Sequence, residues 1–172
     1  RVFGESYMSE AIEKIHLLKD FTDIQWHFIG PMQSNKTKDA AQYFNMIESV
    51  DRKKIARRLE NHAANLQKSI SILIQVNIGD ESQKSGVSLK KLPELVSYVS
   101  NCSHLNWKGF MAIPPFNQDP VPYFQKMFDI FTKYKEEYPI SELSMGMSAD
   151  YQLAIENGAT IVRIGTKIFG KR

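Results

Sequence analysis

Runs of residues that are apolar along their whole length, each followed by a stretch with helical spacing, recur throughout this sequence and constrain its fold more than any other feature. Ile72-Leu73-Ile74-Gln75-Val76 and Thr160-Ile161-Val162 are too evenly apolar to turn one face to water. Such strands are covered on both sides, as in a parallel sheet. Comparable runs stand at Gln25–Ile29, Asn45–Ser49, Ser71–Ile78, Leu105–Ile113, Glu142–Met147 and Thr160–Ile164, and Val2-Phe3 reads as the tail of a further strand. Between them apolar residues fall three and four apart. Ile55, Leu59, Ala63 and Leu66 form one stripe, with Asp51 as its N-cap, and Leu89, Leu92, Val96 and Val99 form another behind Ser88. Phe124, Met127, Phe128 and Phe131 form a third, and core packing accounts for all of them.

Strand and helix in alternation argue for βαβ units, which close either as an open doubly wound sheet or as a barrel. The open dinucleotide-binding form wants a G-x-G-x-x-G turn after an early strand, and none is present. Six complete strands and a remnant suit a (β/α)8 TIM-type barrel lacking its first strand and most of its second. The 172 residues fall short of the roughly 250 of a full barrel. Arg1-Val2-Phe3-Gly4 reads as a chain entered in mid-element, so residues 1–172 are expected to form a single barrel domain incomplete at its N-terminus. Pro114–Pro120 is a loop between a strand and a helix, and no linker divides the chain.

A formal net charge of +3 with no basic stripe disfavours nucleic acid as a partner. No apolar run approaches the roughly 20 residues of a membrane span. The lone Cys102, a thiol near a helix end, can form no internal disulfide, which fits a reducing cytoplasm.

In a parallel barrel the chemistry gathers at the carboxyl ends of the strands. Those positions are Gly4–Ser6, Gly30–Lys36, Asp80–Gly86, Ile113-Pro114, Gly146–Ser148 and Gly165-Thr166. They are rich in glycine, hydroxyl and amide groups. They hold no paired acids for glycoside hydrolysis, no zinc-spaced Cys/His cluster and no G-x-S-x-G elbow. What they suit is an anion. Gly146-Met147-Ser148 and Gly165-Thr166 fall in the last two loops, where barrels often hold phosphate at the start of a short helix. On spacing alone two readings stand: a phosphate site, or glycines relieving crowded turns with Ser148 capping a helix that starts at Ala149. Arg163 lies inside the apolar strand Ile161–Ile164, where a guanidinium must be paired or aimed at a ligand.

Taken in order, Phe3-Gly4-Glu5, Trp26–Pro31, Gln33–Lys36, Gln75–Ile78, Lys84-Ser85-Gly86, Met111–Pro114, Leu143–Ser148 and Val162–Gly170 resemble the pyridoxal-phosphate homeostasis proteins of the YggS/PROSC type. The barrel of that family is similar to the N-terminal domain of alanine racemase. The resemblance implies a cytoplasmic protein that binds pyridoxal 5′-phosphate, regulates its free level and has no established catalytic turnover. It implies pyridoxal-phosphate-dependent apoenzymes as partners. By position, Ser148, Gly165 and Thr166 would hold the phosphate beside Gly146, Arg163 would face the pyridine nitrogen, and His27 would line the pocket or stand as a satisfied core histidine.

The sequence departs from the family at Ser6, where Asn is usual, and at Ala149-Asp150, where an acidic pair is usual. The family's covalent lysine belongs to a strand upstream of Arg1. Ser34-Asn35-Lys36-Thr37 resembles that stretch but lies past the end of its own strand. A fold-type-III racemase or decarboxylase is the enzymatic alternative, and a phosphate-sugar enzyme using Lys36 or Lys84 is a third.

Overall fold

A computed structural model describes residues 1–81 and 83–170; Ser82, which belongs to one of the loops singled out above, and Lys171 and Arg172 at the end of the chain lie outside the described residues. Strands and helices alternate in the order β1 (Val2–Glu5), α1 (Met8–Leu17), β2 (Gln25–Phe28), α2 (Thr37–Tyr43), β3 (Met46–Val50), α3 (Lys53–Asn65) and β4 (Ile70–Val76). They continue with α4 (Leu92–Ser100), β5 (Leu105–Ala112), α5 (Val121–Lys135), β6 (Glu142–Met147), α6 (Tyr151–Glu156), β7 (Ile161–Arg163) and α7 (Thr166–Phe169). A 3-10 turn at Ser34–Lys36 leads into α2, so Lys36 does lie beyond its strand.

Every neighbouring pair of strands is parallel, and the order across the sheet is the order along the chain. The sheet curls into a nearly closed barrel. Glu48 on β3 and Ser144 on β6 stand three places apart in the sheet, yet their side chains meet at 2.5 Å. A flat sheet with strands about 4.8 Å apart would hold them roughly 14 Å apart. Val2-Phe3 lies in a strand, Val2–Glu5, that pairs along its length with Gln25–Phe28.

The helices cover the outside, and one continuous apolar cluster fills the layer between them and the sheet. Trp107 anchors part of it, with edge-on contacts to Phe110, Tyr134 and Tyr138. Burying a side chain such as Phe110 contributes about 1.5–3 kcal/mol. Leu73 and Met111 are also fully buried but stand outside that cluster, as side chains pointing into the barrel must.

The helical stripes hold with exceptions. Ile55, Leu59 and Ala63 are sealed, while Leu66, past the end of α3, is 45% exposed. Phe124, Met127 and Phe131 are buried, but Phe128 is 42% exposed at the edge of the α5 stripe. Asp51 does not cap α3; the N-cap position belongs to Arg52, which donates to the Asp51 carboxylate at 2.6 Å.

Candidate functional site

The loops after β6 and β7 meet. The Ser148 hydroxyl oxygen accepts hydrogen bonds from the backbone N–H of Gly165 at 3.1 Å and of Lys167 at 3.5 Å, at the first turn of α7. Ser148 therefore does not cap the following helix, one of the two readings left open by spacing. That helix starts at Tyr151, its N-cap position is Asp150, and the Asp150 carboxylate instead accepts from the Met147 N–H at 2.6 Å. The Lys167 ammonium lies 4.5 Å over the Tyr151 ring, a second tie between the two loops. Thr166 is the exposed first residue of α7.

The two glycines differ. Gly146 has φ +90°, and a Cβ on it would lie 2.4 Å from the Ala154 Cβ, so backbone conformation and helix packing both require glycine there. Gly165 has an ordinary φ of −106°, and a Cβ on it would meet no protein atom within 4 Å. The protein's own packing gives no reason for a glycine at 165.

Arg163 sits two residues before that loop and is only partly exposed. Its Nη1 donates to the Ser144 hydroxyl at 2.6 Å and its Nη2 to the Ala112 carbonyl at 3.0 Å. Ser144 in turn donates to Glu48 Oε2 at 2.5 Å, and Glu48 Oε1 lies 2.8 Å from His27 Nδ1. His27, Glu48 and Ser144 are all buried. Burial pulls the Arg163 guanidinium below its ordinary pKa, and the negative charges of Glu48 and Asp150 act against that. His27 is thus a satisfied buried histidine, tied to Arg163 through Glu48 and Ser144.

Glu48 and Ser144 lie inside β3 and β6, away from the strand ends where the chemistry of such a barrel is expected. The signal was available: a carboxylate inside Met46-Ile47-Glu48-Ser49-Val50 raises the same question as an arginine inside Ile161–Ile164. Lys84 is engaged elsewhere, 2.7 Å from Glu81 Oε2 and donating to the Pro114 carbonyl at 3.3 Å, so it straps the loop after β4 to the loop after β5. Among the described residues no group of three His, Cys, Asp or Glu side chains could hold a metal ion, and no helix is long and apolar enough to cross a membrane.

The family model of the alanine racemase N-terminal domain matches residues 1–172. The pyridoxal phosphate homeostasis protein of Pasteurella multocida is 43% identical over 177 residues, which cover 99% of this chain and 76% of that protein. Its namesake from Escherichia coli is 42% identical over 178 residues, covering 100% and 76%. Among solved structures, PipY of Synechococcus elongatus with pyridoxal phosphate bound superposes with a TM-score of 0.90 at 33% identity, covering 98% of this chain and 81% of PipY. Alanine racemase from Corynebacterium glutamicum shares the fold at a TM-score of 0.66 and 17% identity. The chain belongs to the alanine racemase N-terminal domain family and, within it, to the pyridoxal phosphate homeostasis proteins.

Proposed function

We propose that this chain binds pyridoxal 5′-phosphate and serves in the intracellular homeostasis of that cofactor, without catalytic turnover, in the cytoplasm. The observation that carries the reading is Gly165. It is a glycine that neither its conformation nor its packing demands, set where the Gly165 and Lys167 N–H groups and the Ser148 hydroxyl converge. A phosphate accounts for it, because its oxygens approach backbone N–H groups closely only where no Cβ intervenes.

The residues present fit the cofactor. Ser148, Gly165 and Thr166 hold the phosphate, Gly146 allows the tight turn that presents Ser148, and Arg163 faces the pyridine nitrogen from β7. His27 lines the barrel interior below. When bound, pyridoxal phosphate supplies a reactive aldehyde and a ring that can accept electrons. An arginine opposite the ring nitrogen disfavours protonating it, and a neutral ring is a poorer electron sink. That favours a binding protein over a fold-type-III racemase or decarboxylase. The partners that follow are apoenzymes that take the cofactor up.

Equilibrium dialysis with pyridoxal phosphate tests the reading, alongside an assay for alanine racemisation. Saturable binding at one site without racemisation is expected. Failure to saturate overturns the binding assignment, and turnover of alanine overturns the non-catalytic one.

A further inference from the structure

The barrel interior holds a carboxylate that the phosphate site does not use. Glu48 lies in the middle of β3, 1% exposed, in a strand whose other members are apolar or small. An unpaired buried carboxylate is strongly unfavourable, so its partners matter. It has two, from opposite sides of the barrel: His27 on β2 at 2.8 Å and Ser144 on β6 at 2.5 Å. A serine hydroxyl has one proton to give. Donating it to Glu48 leaves the Ser144 lone pairs free for Arg163, whose Nη1 donates to them at 2.6 Å. The Ala112 carbonyl holds Nη2 at 3.0 Å. A planar guanidinium held at two nitrogens by two different strands cannot turn about its axis.

We propose that Glu48 is a positioning residue of the cofactor site, orienting the Arg163 guanidinium through the Ser144 hydroxyl. This rests on the reading of Arg163 as the partner of the pyridine ring. Glu48 itself bonds His27 and Ser144, neither of which lies in the loops after β6 and β7. Without its acceptor, the Ser144 proton competes for other partners and the arginine loses one of its two anchors. The charge of Glu48 also helps to keep the buried guanidinium protonated.

The experiment compares two probes on the whole chain, pyridoxal phosphate and inorganic phosphate, by equilibrium dialysis. Inorganic phosphate reports on the loops after β6 and β7 alone; pyridoxal phosphate also reports on Arg163. Glu48→Leu, which keeps bulk and removes the acceptor, should weaken pyridoxal phosphate about tenfold, the order expected for losing a hydrogen bond to a charged group. It should leave inorganic phosphate unchanged. Ser144→Ala breaks the same relay without touching Glu48 and should give the same split if Glu48→Leu does not fold. Glu48→Gln, whose amide oxygen can still accept from Ser144, should recover most of the loss. Equal weakening of both probes means a merely structural role and overturns the proposal, as does unchanged binding of both. If the parent chain binds inorganic phosphate but not pyridoxal phosphate, the functional reading fails first, and this proposal with it.

Discussion

Gly165→Ala and Gly146→Ala add the same methyl group to neighbouring loops, and the structure assigns them opposite consequences. At Gly146 an alanine must adopt φ +90°, which costs about 1–2 kcal/mol for an L-residue. Its Cβ would stand 2.4 Å from the Ala154 Cβ, and forcing an extra methyl into packed structure costs about 1–3 kcal/mol more. The sum is about 2–5 kcal/mol. For a chain of this size each kcal/mol moves Tm by about 2–4 °C, so a fall of roughly 4–20 °C is expected. At Gly165 the φ of −106° suits any residue, and an added Cβ would meet no protein atom within 4 Å. Stability should hold or rise by up to about 1 kcal/mol, because alanine restricts the unfolded chain.

The ligand response should be reversed. A phosphate concentration ten times Kd protects the parent by about 1.4 kcal/mol, or roughly 3–6 °C. A methyl group in the path of the phosphate oxygens that weakens binding tenfold cuts this to about 0.4 kcal/mol, near 1 °C. Thermal melts of both variants with and without inorganic phosphate measure all four quantities. If Gly165→Ala keeps the full protection of the parent, the assignment of Gly165 to the phosphate is wrong. If Gly146→Ala melts with the parent, the clash argument is wrong.

Further outcomes follow from the same geometry. Replacing Ser148 and Thr166 together by alanine should reduce protection by phosphate while the apo stability falls by no more than about 1 kcal/mol, since Thr166 is exposed and Ser148 loses only its solvent-accessible bonds to the Gly165 and Lys167 N–H groups; equal protection of variant and parent would remove both residues from the site. The Cys102 thiol is pushed up to about 11 by burial and by the Glu60 charge, so alkylation at pH 8 should run roughly two orders of magnitude slower than for a free thiol with pKa about 8.5. Because this pKa is raised on folding, the stabilisation it reflects is complete below the unfolded pKa and is lost as pH rises through about 11, which alkaline denaturation compared with Cys102→Ala would show. Lys84→Ala should free the loop after β4 from the Pro114 carbonyl, seen as faster amide exchange at Val87, whose N–H bonds the Gln75 carbonyl.

What the sequence made legible follows one rule: local pattern is readable and convergence is not. The strands were readable because a fully covered strand needs an apolar residue at nearly every position, and the boundaries at Glu142–Met147 are those observed. The meeting loops after β6 and β7 were readable as candidates because glycine and hydroxyl groups recur at positions that the barrel rhythm already marks. The opposite properties of Gly146 and Gly165 were not, because the distinction lies in a torsion angle and in a contact with Ala154, eight residues on. The relay through Glu48 was harder still. Its members stand at positions 27, 48, 144 and 163, and only closure of the sheet brings β3 against β6. Yet each of those polar side chains interrupts a strand that should be apolar, and isolated interruptions cannot all be satisfied separately inside a barrel. A half-buried arginine on β7 requires acceptors. A buried glutamate on β3 requires donors, and the interior is the one place both can reach. Polar residues in covered strands are therefore best considered as a set, since the cost of burying any one of them is met by the others across the lumen.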